Sequence, residues 1–174
     1  MTTAKAVAVI QARMGSSRLP GKVLTPLAGR HALARVSAAA QATAGIDQVI
    51  VATSDQGQDQ AIADWCADNA VACHRGPAED VLGRFLGAIE ATGADIVMRL
   101  TADCPLLDAE VCGQVLALQR LSGCDIATNA SPPSWPDGLD CEVFTAEAIR
   151  DAAREATLPA QRERVTPFLM ANRT

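Results

Sequence analysis

A three-layer α/β/α fold around a mostly parallel sheet is predicted by three features of this 174-residue sequence. Short β-branched runs alternate with segments of helical length, the pattern of strand–helix–strand units. Most runs are followed by loop residues, chiefly Gly, Pro, Asp and Ser. Alanine, at 34 residues, supplies small side chains that let many helices pack closely.

The elements follow in order. Residues 7–10 are a short apolar run that fits a buried strand, and 15–21 (GSSRLPG) interrupt it with a loop. Residues 31–44 are helical by composition, with His31 at the start, and 48–53 (QVIVAT) form the second strand. Residues 58–69 place Ile62, Trp65 and Cys66 at i, i+3, i+4, one face of a helix. A weak strand at 71–73 precedes a helix over 79–91, where Leu82, Phe85, Leu86 and Ile89 share a side. The fourth strand is 95–100 (DIVMRL). Asp108 suits a helix cap, and Val111, Val115 and Leu118 continue the helix it opens. Residues 125–128 and 139–144 are strands on either side of the loop 131–138 (SPPSWPDG), and 146–155 is a helix.

Composition narrows the function. Apolar residues make up 49% and charged residues 20%, which excludes a disordered chain. No apolar run approaches the ~20 residues a bilayer span needs, so no membrane partner is expected. No signal peptide is visible in the first residues, which predicts a cytoplasmic protein. Six cysteines lie scattered without a C-x-x-C pair; reduced thiols are expected and a zinc site is not. Residues 1–46 carry six basic and no acidic side chains, whereas the remainder has nine basic and twenty acidic. A pI near 4.9 argues against nucleic acid. A cationic segment in an acidic chain points to a small anion.

In doubly wound sheets, ligands bind beyond the carboxyl ends of the strands. The first such segment, 13–22 (RMGSSRLPGK), gathers Arg13, Arg18 and Lys22 with two glycines and two serines. Glycines let backbone N–H groups approach a phosphate, and guanidinium forks match its oxygens. It is no Walker A loop, because five residues separate Gly15 from Gly21 and Val23 follows Lys22. After the fourth strand, 101–105 (TADCP) offers Asp103 either to Mg²⁺ or to an Asx turn. Asp140 and Glu142 would share a face of a strand beside Gly138, with Asp137 as a turn residue.

These residues also carry a resemblance. The segment 10–24 (IQARMGSSRLPGKVL) is similar to the opening of the cytidylyltransferases that activate acidic sugars, nearest the spore coat polysaccharide (SpsF-like) type and related to the acylneuraminate type. Further blocks follow in order: 51–54 (VATS), 75–84 (RGPAEDVLGR), 99–106 (RLTADCPL), 136–144 (PDGLDCEVF) and 162–168 (RERVTPF). The resemblance implies a Rossmann-like, GT-A nucleotide-diphospho-sugar transferase fold in one domain over 1–174. It implies a nucleotidyltransferase of polysaccharide biosynthesis that moves CMP from CTP to a sugar of the nonulosonic acid type, with Mg²⁺ as cofactor and a homodimer as a candidate assembly. Arg13, Arg18 and Lys22 would then be catalytic. Gln11, Ala12, Gly15, Ser16, Ser17, Arg75 and Thr101 would bind the nucleotide, Asp103 the metal, and Asn129, Asp137, Asp140 and Glu142 the sugar. The chain departs from the family in three ways. Arg164 stands where many relatives have histidine, and Ala102 where many have glycine. The family's usual C-terminal tail, with a second aspartate for the metal, is not matched, so that ligand is either missing or replaced by Asp140 or Glu142. Two other readings stay open: a transferase using another nucleotide or a nucleotide-sugar, and a nucleotide-binding relative without turnover.

Overall fold

The computed structural model describes residues 4–172. Its centre is β1 (Ala6–Gln11), whose alternate side chains enter two different cores. Ala6, Ala8 and Ile10 point to one face, Val7 and Val9 to the other, as the period of two in a strand requires. A strand buried on both faces reads as a continuous apolar run, which is what residues 6–10 are.

A small hairpin, β2 (Pro26–Leu27) and β3 (Arg30–His31), leads into α1 (Ala32–Ala42). Then come β4 (Gln48–Ser54), α2 (Gln60–Asp68), β5 (Ala72–Gly76), α3 (Val81–Thr92), β6 (Ile96–Thr101) and α4 (Ala109–Ser122). β7 (Ile126–Thr128), β8 (Glu142–Thr145), α5 (Ala146–Glu155), α6 (Pro159–Arg162) and α7 (Thr166–Asn172) complete the described chain. The six-stranded sheet runs β5-β4-β1-β6-β8-β7. β5, β4, β1 and β6 are parallel, and β8 alone runs against its neighbours. Leu33 and Val36 of α1, Ile62 of α2 and Leu116 of α4 fill one core. Leu82, Phe85 and Ile89 of α3, Ile149 of α5 and Leu169 of α7 fill the other. The predicted three layers are therefore present, and no helix among the described residues is long and apolar enough to cross a membrane.

Two expectations are corrected. The strand read at 139–144 begins only at Glu142, so Asp140 and Glu142 do not share a strand face. The cause is Asn129, whose buried side chain donates to the Leu139 carbonyl (2.9 Å) and accepts from the Cys141 N–H (2.7 Å). Those bonds hold 139–141 as loop. The weak strand at 71–73 extends instead over Ala72–Gly76, because β4 pairs with it as far as Ser54 opposite Gly76.

Helix ends also fix the site. Asp108 caps α4, accepting from Glu110 N–H and Val111 N–H at 2.9 and 3.0 Å. Asp80 caps α3, accepting from Gly83 N–H at 2.8 Å, and its other oxygen takes a bond from Arg162 Nη2 at 2.7 Å. Burial alone would raise the Asp80 pKa, but Arg162 and the Gly83 N–H outweigh it and hold the carboxyl below the usual range. A depressed carboxylate stabilises the fold above its unfolded pKa of about 3.9 and loses that contribution as pH falls through the folded value. Asp80→Ala is expected to cost about 1–2 kcal/mol at pH 7 from the cap and a part-exposed ion pair. Urea titrations of both proteins should show the gap narrowing below about pH 4.

Candidate active site

The chain moves from β1 to β4 and β5 on one side, then crosses to β6 on the other, so a crevice opens beyond the ends of β1 and β6. Gln11 and Thr101 lie side by side there in the strand register. The loop after β1 is closed by the Gly21 N–H on the Met14 carbonyl at 2.9 Å. Gly21 has φ 72°, a left-handed conformation that favours glycine, and it starts a 3₁₀ turn over Lys22–Leu24. That turn brings the Lys22 ammonium onto the Asp103 carboxylate beyond β6. Burial raises the Asp103 pKa, but the bond and charge of Lys22 prevail and hold it below the ordinary carboxylate value. Its side chain is still 37% exposed.

Gln11, Ala12, Arg13, Ser16, Ser17, Arg18, Lys22, Thr101 and Asp103 line one cavity of about 260 Å³, together with Val23 and Arg99. Arg13 and Arg18 form no hydrogen bond or ion pair among the described residues, so their charge faces the cavity and solvent. Gly15 lines an adjoining cavity of about 670 Å³ with Ser54, Gln56, Gln58, Arg84 and Arg164; Gln11, Arg13 and Arg99 border both.

The other predicted residues lie apart. Arg75 clamps the segment after β4, donating to the Ser54 carbonyl and the Gln56 carbonyl at 3.1 Å each and to Gln60. Asn129 is the buried latch described above. Asp137 borders a third cavity, of about 550 Å³, with Leu106 and Trp135. Asp140 is half-buried; burial pushes the Cys104 thiol upward against an opposing bond to Thr101, and the charges of Asp103, Asp140 and Asp137 add to the rise. Glu142 is paired with Arg99, its strand neighbour, and accepts from Thr166 Oγ1 at 3.0 Å.

Two residues outside the predicted set support this geometry. Asp59, 1% exposed, accepts from Met14 N–H (2.7 Å) and from both the N–H and hydroxyl of Ser54. It ties the cationic loop to the end of β4. Asp59→Ala would strand those donors and is expected to cost about 2–4 kcal/mol in denaturant melts. Arg99 is the other, and its signal was in the sequence: a lone charge inside the apolar run of β6.

Among the described residues no three metal-ligating side chains converge. One ionised, part-exposed carboxylate facing a cationic cavity nevertheless fits Mg²⁺, which keeps several waters and is held by one or two carboxylates plus substrate phosphates. The donor set does not fit a preformed all-protein cage.

Comparison with known proteins agrees with the geometry. The chain is 35% identical over 166 residues to the spore coat polysaccharide biosynthesis protein SpsF of Bacillus subtilis, across 92% of this chain and 68% of that protein. It is 38% identical over 119 residues to the 3-deoxy-manno-octulosonate cytidylyltransferase of Maricaulis maris, across 66% of this chain and 44% of that one. A cytidylyltransferase structure from Leptospira borgpetersenii superposes with a TM-score of 0.91 at 30% identity, covering 98% of this chain and 72% of the other. With the cytidylyltransferase family profile matching residues 7–173, the chain belongs to that family of nucleotidyltransferases.

Proposed function

We propose that the protein transfers CMP from CTP to an acidic sugar of the nonulosonic acid type and releases pyrophosphate. The observation that carries this reading is the cavity in which Arg13, Arg18 and Lys22 face the ionised Asp103 across the β1–β6 crevice. A triphosphate is the polyanion such a cradle suits, and the loop N–H groups and Ser16 and Ser17 hydroxyls add neutral donors.

Arg18 and Lys22 would hold the pyrophosphate oxygens, and Arg13 the α-phosphate. Asp103, with Asp140 as a second candidate carboxylate, would hold Mg²⁺. When bound, the ion supplies neutralisation of phosphate charge. The sugar's anomeric hydroxyl attacks the α-phosphorus and releases its proton to solvent, the bond from the α-phosphorus to the bridging oxygen of the β-phosphate breaks, and pyrophosphate departs with its charge matched by the cations. Such in-line transfer depends chiefly on positioning and electrostatics. Gln11, Ala12, Gly15, Arg75 and Thr101 serve the nucleotide, Arg75 by shaping the loop after β4. Asn129, Asp137, Asp140 and Glu142 serve the sugar side, Asn129 by holding the loop that carries Asp137 and Asp140.

The test is pyrophosphate release from each of the four nucleoside triphosphates with Mg²⁺ and a panel of nonulosonic acids. Release that requires CTP and one such acid supports the reading. Turnover with a different nucleotide, or none with any acid while CTP still raises the melting temperature, overturns it.

A further inference from the structure

Arg99 and Gln11 are neighbours on one face of the sheet: Arg99 pairs with Val9 in register, and Gln11 lies two residues further along β1. The Gln11 side-chain carbonyl accepts from Arg99 Nε at 3.3 Å and from Nη2 at 3.2 Å. A guanidinium has donors only, so the amide can meet it in one orientation, with oxygen inward. The amide NH₂ is thereby turned away from Arg99, and it has no hydrogen-bond partner among the described residues. Gln11 forms part of the wall shared by the 260 and 670 Å³ cavities. Arg99 cannot swing to release it, because its remaining arm is held by Glu142 and by Thr166 Oγ1 of α7 at 3.5 Å.

We propose that Arg99 is a positioning residue that locks the Gln11 amide with its NH₂ toward the cleft, where it donates to an acceptor on the bound nucleotide. The inference rests on the nucleotide reading above. The acceptor is either a carbonyl or unprotonated ring nitrogen of the cytosine base or a phosphate oxygen; both are acceptor-only groups at neutral pH, and Gln11 borders space for each.

Gln11→Glu tests this directly. A glutamate keeps the size of the side chain and pairs with Arg99 more strongly, yet it presents no donor to the cleft. Calorimetric titration with CTP and UTP in Mg²⁺, alongside melting temperatures, is the measurement. The variant should melt within a few degrees of the wild type and bind CTP about tenfold more weakly, the scale of one lost charge-independent hydrogen bond set against a repelled acceptor. Loss for CTP with UTP unchanged or improved assigns the cytosine ring nitrogen, since uracil carries N3–H; equal loss for both assigns an acceptor that the two nucleotides share, the O2 carbonyl or a phosphate oxygen. A second arm uses Arg99→Met with Glu142→Gln, which removes the cation without leaving its carboxylate charged and unpaired. It should weaken CTP binding severalfold in the Gln11 background and have no further effect beside Gln11→Ala. Wild-type affinity in Gln11→Glu, or an Arg99 effect that persists beside Gln11→Ala, overturns the proposal. Failure of the wild type to bind any nucleotide instead overturns the function beneath it.

Discussion

Asp103→Asn should lower turnover about a thousandfold while leaving the fold intact. The substitution preserves shape and the ability to accept a bond from Lys22, and removes one negative charge. Asp103 carries the carboxylate that pairs with Lys22 of the cationic loop, and it is the residue proposed to hold Mg²⁺. A metal ion clamped on transferring phosphates supplies several kcal/mol of transition-state stabilisation, and about 4 kcal/mol corresponds to a thousandfold. Stability should change by less than about 1 kcal/mol, because the Lys22–Asp103 pair is part-exposed and solvent-screened. Steady-state pyrophosphate release and a urea melt of the same preparation check both halves. A variant that kept more than a tenth of wild-type turnover would remove Asp103 from the site.

The parts of this site that were legible in the sequence are those whose signal is local. The loop from Arg13 to Lys22 concentrates charge and glycine within ten residues, and Asp103 stands at a strand end, where the resemblance assigns it to the metal. The residues that organise the cleft are held by partners far away in the chain. Arg99 meets Gln11 across 88 positions and Glu142 across 43, and Asp59 meets Met14 across 45. No window of sequence contains such a pair, so a buried carboxylate at Asp59 looks like any solvent-facing aspartate. Strand direction is hidden for the same reason. The sequence places a strand over 139–144, but only pairing with β6 and β7 shows that β8 runs backward. That reversal is consequential, because it brings the start of β8, and hence Glu142, opposite Arg99 at the end of the sheet where β1 and β6 finish. The short helices α6 and α7 also escaped prediction; a four-residue helix carries too little periodicity to be read and depends on tertiary packing.

Removing Lys22 should separate two properties that a purely cooperative site would lose together. In the structure its ammonium sits on Asp103, the carboxylate a divalent ion would use. In the proposed reaction Lys22 would compete with the ion when no nucleotide is bound, and would exchange Asp103 for phosphate oxygens when one arrives. For Lys22→Ala, turnover is expected to fall about a hundredfold, the scale of one lost electrostatic contact to charge developing on the leaving group. Metal affinity of the nucleotide-free protein should move the other way. Asp103 loses the partner that shields it, and Mn²⁺ used as a probe should bind severalfold more tightly than in the wild type. Lys22→Arg should retain the competition, since the guanidinium still pairs with a carboxylate. Water-proton relaxation titrations with Mn²⁺ measure the affinity, and pyrophosphate release measures the rate. If Lys22→Ala binds Mn²⁺ no better than the wild type, the ammonium is not standing in the ion's place. If in addition its turnover is unchanged, the cationic loop grips the triphosphate without Lys22.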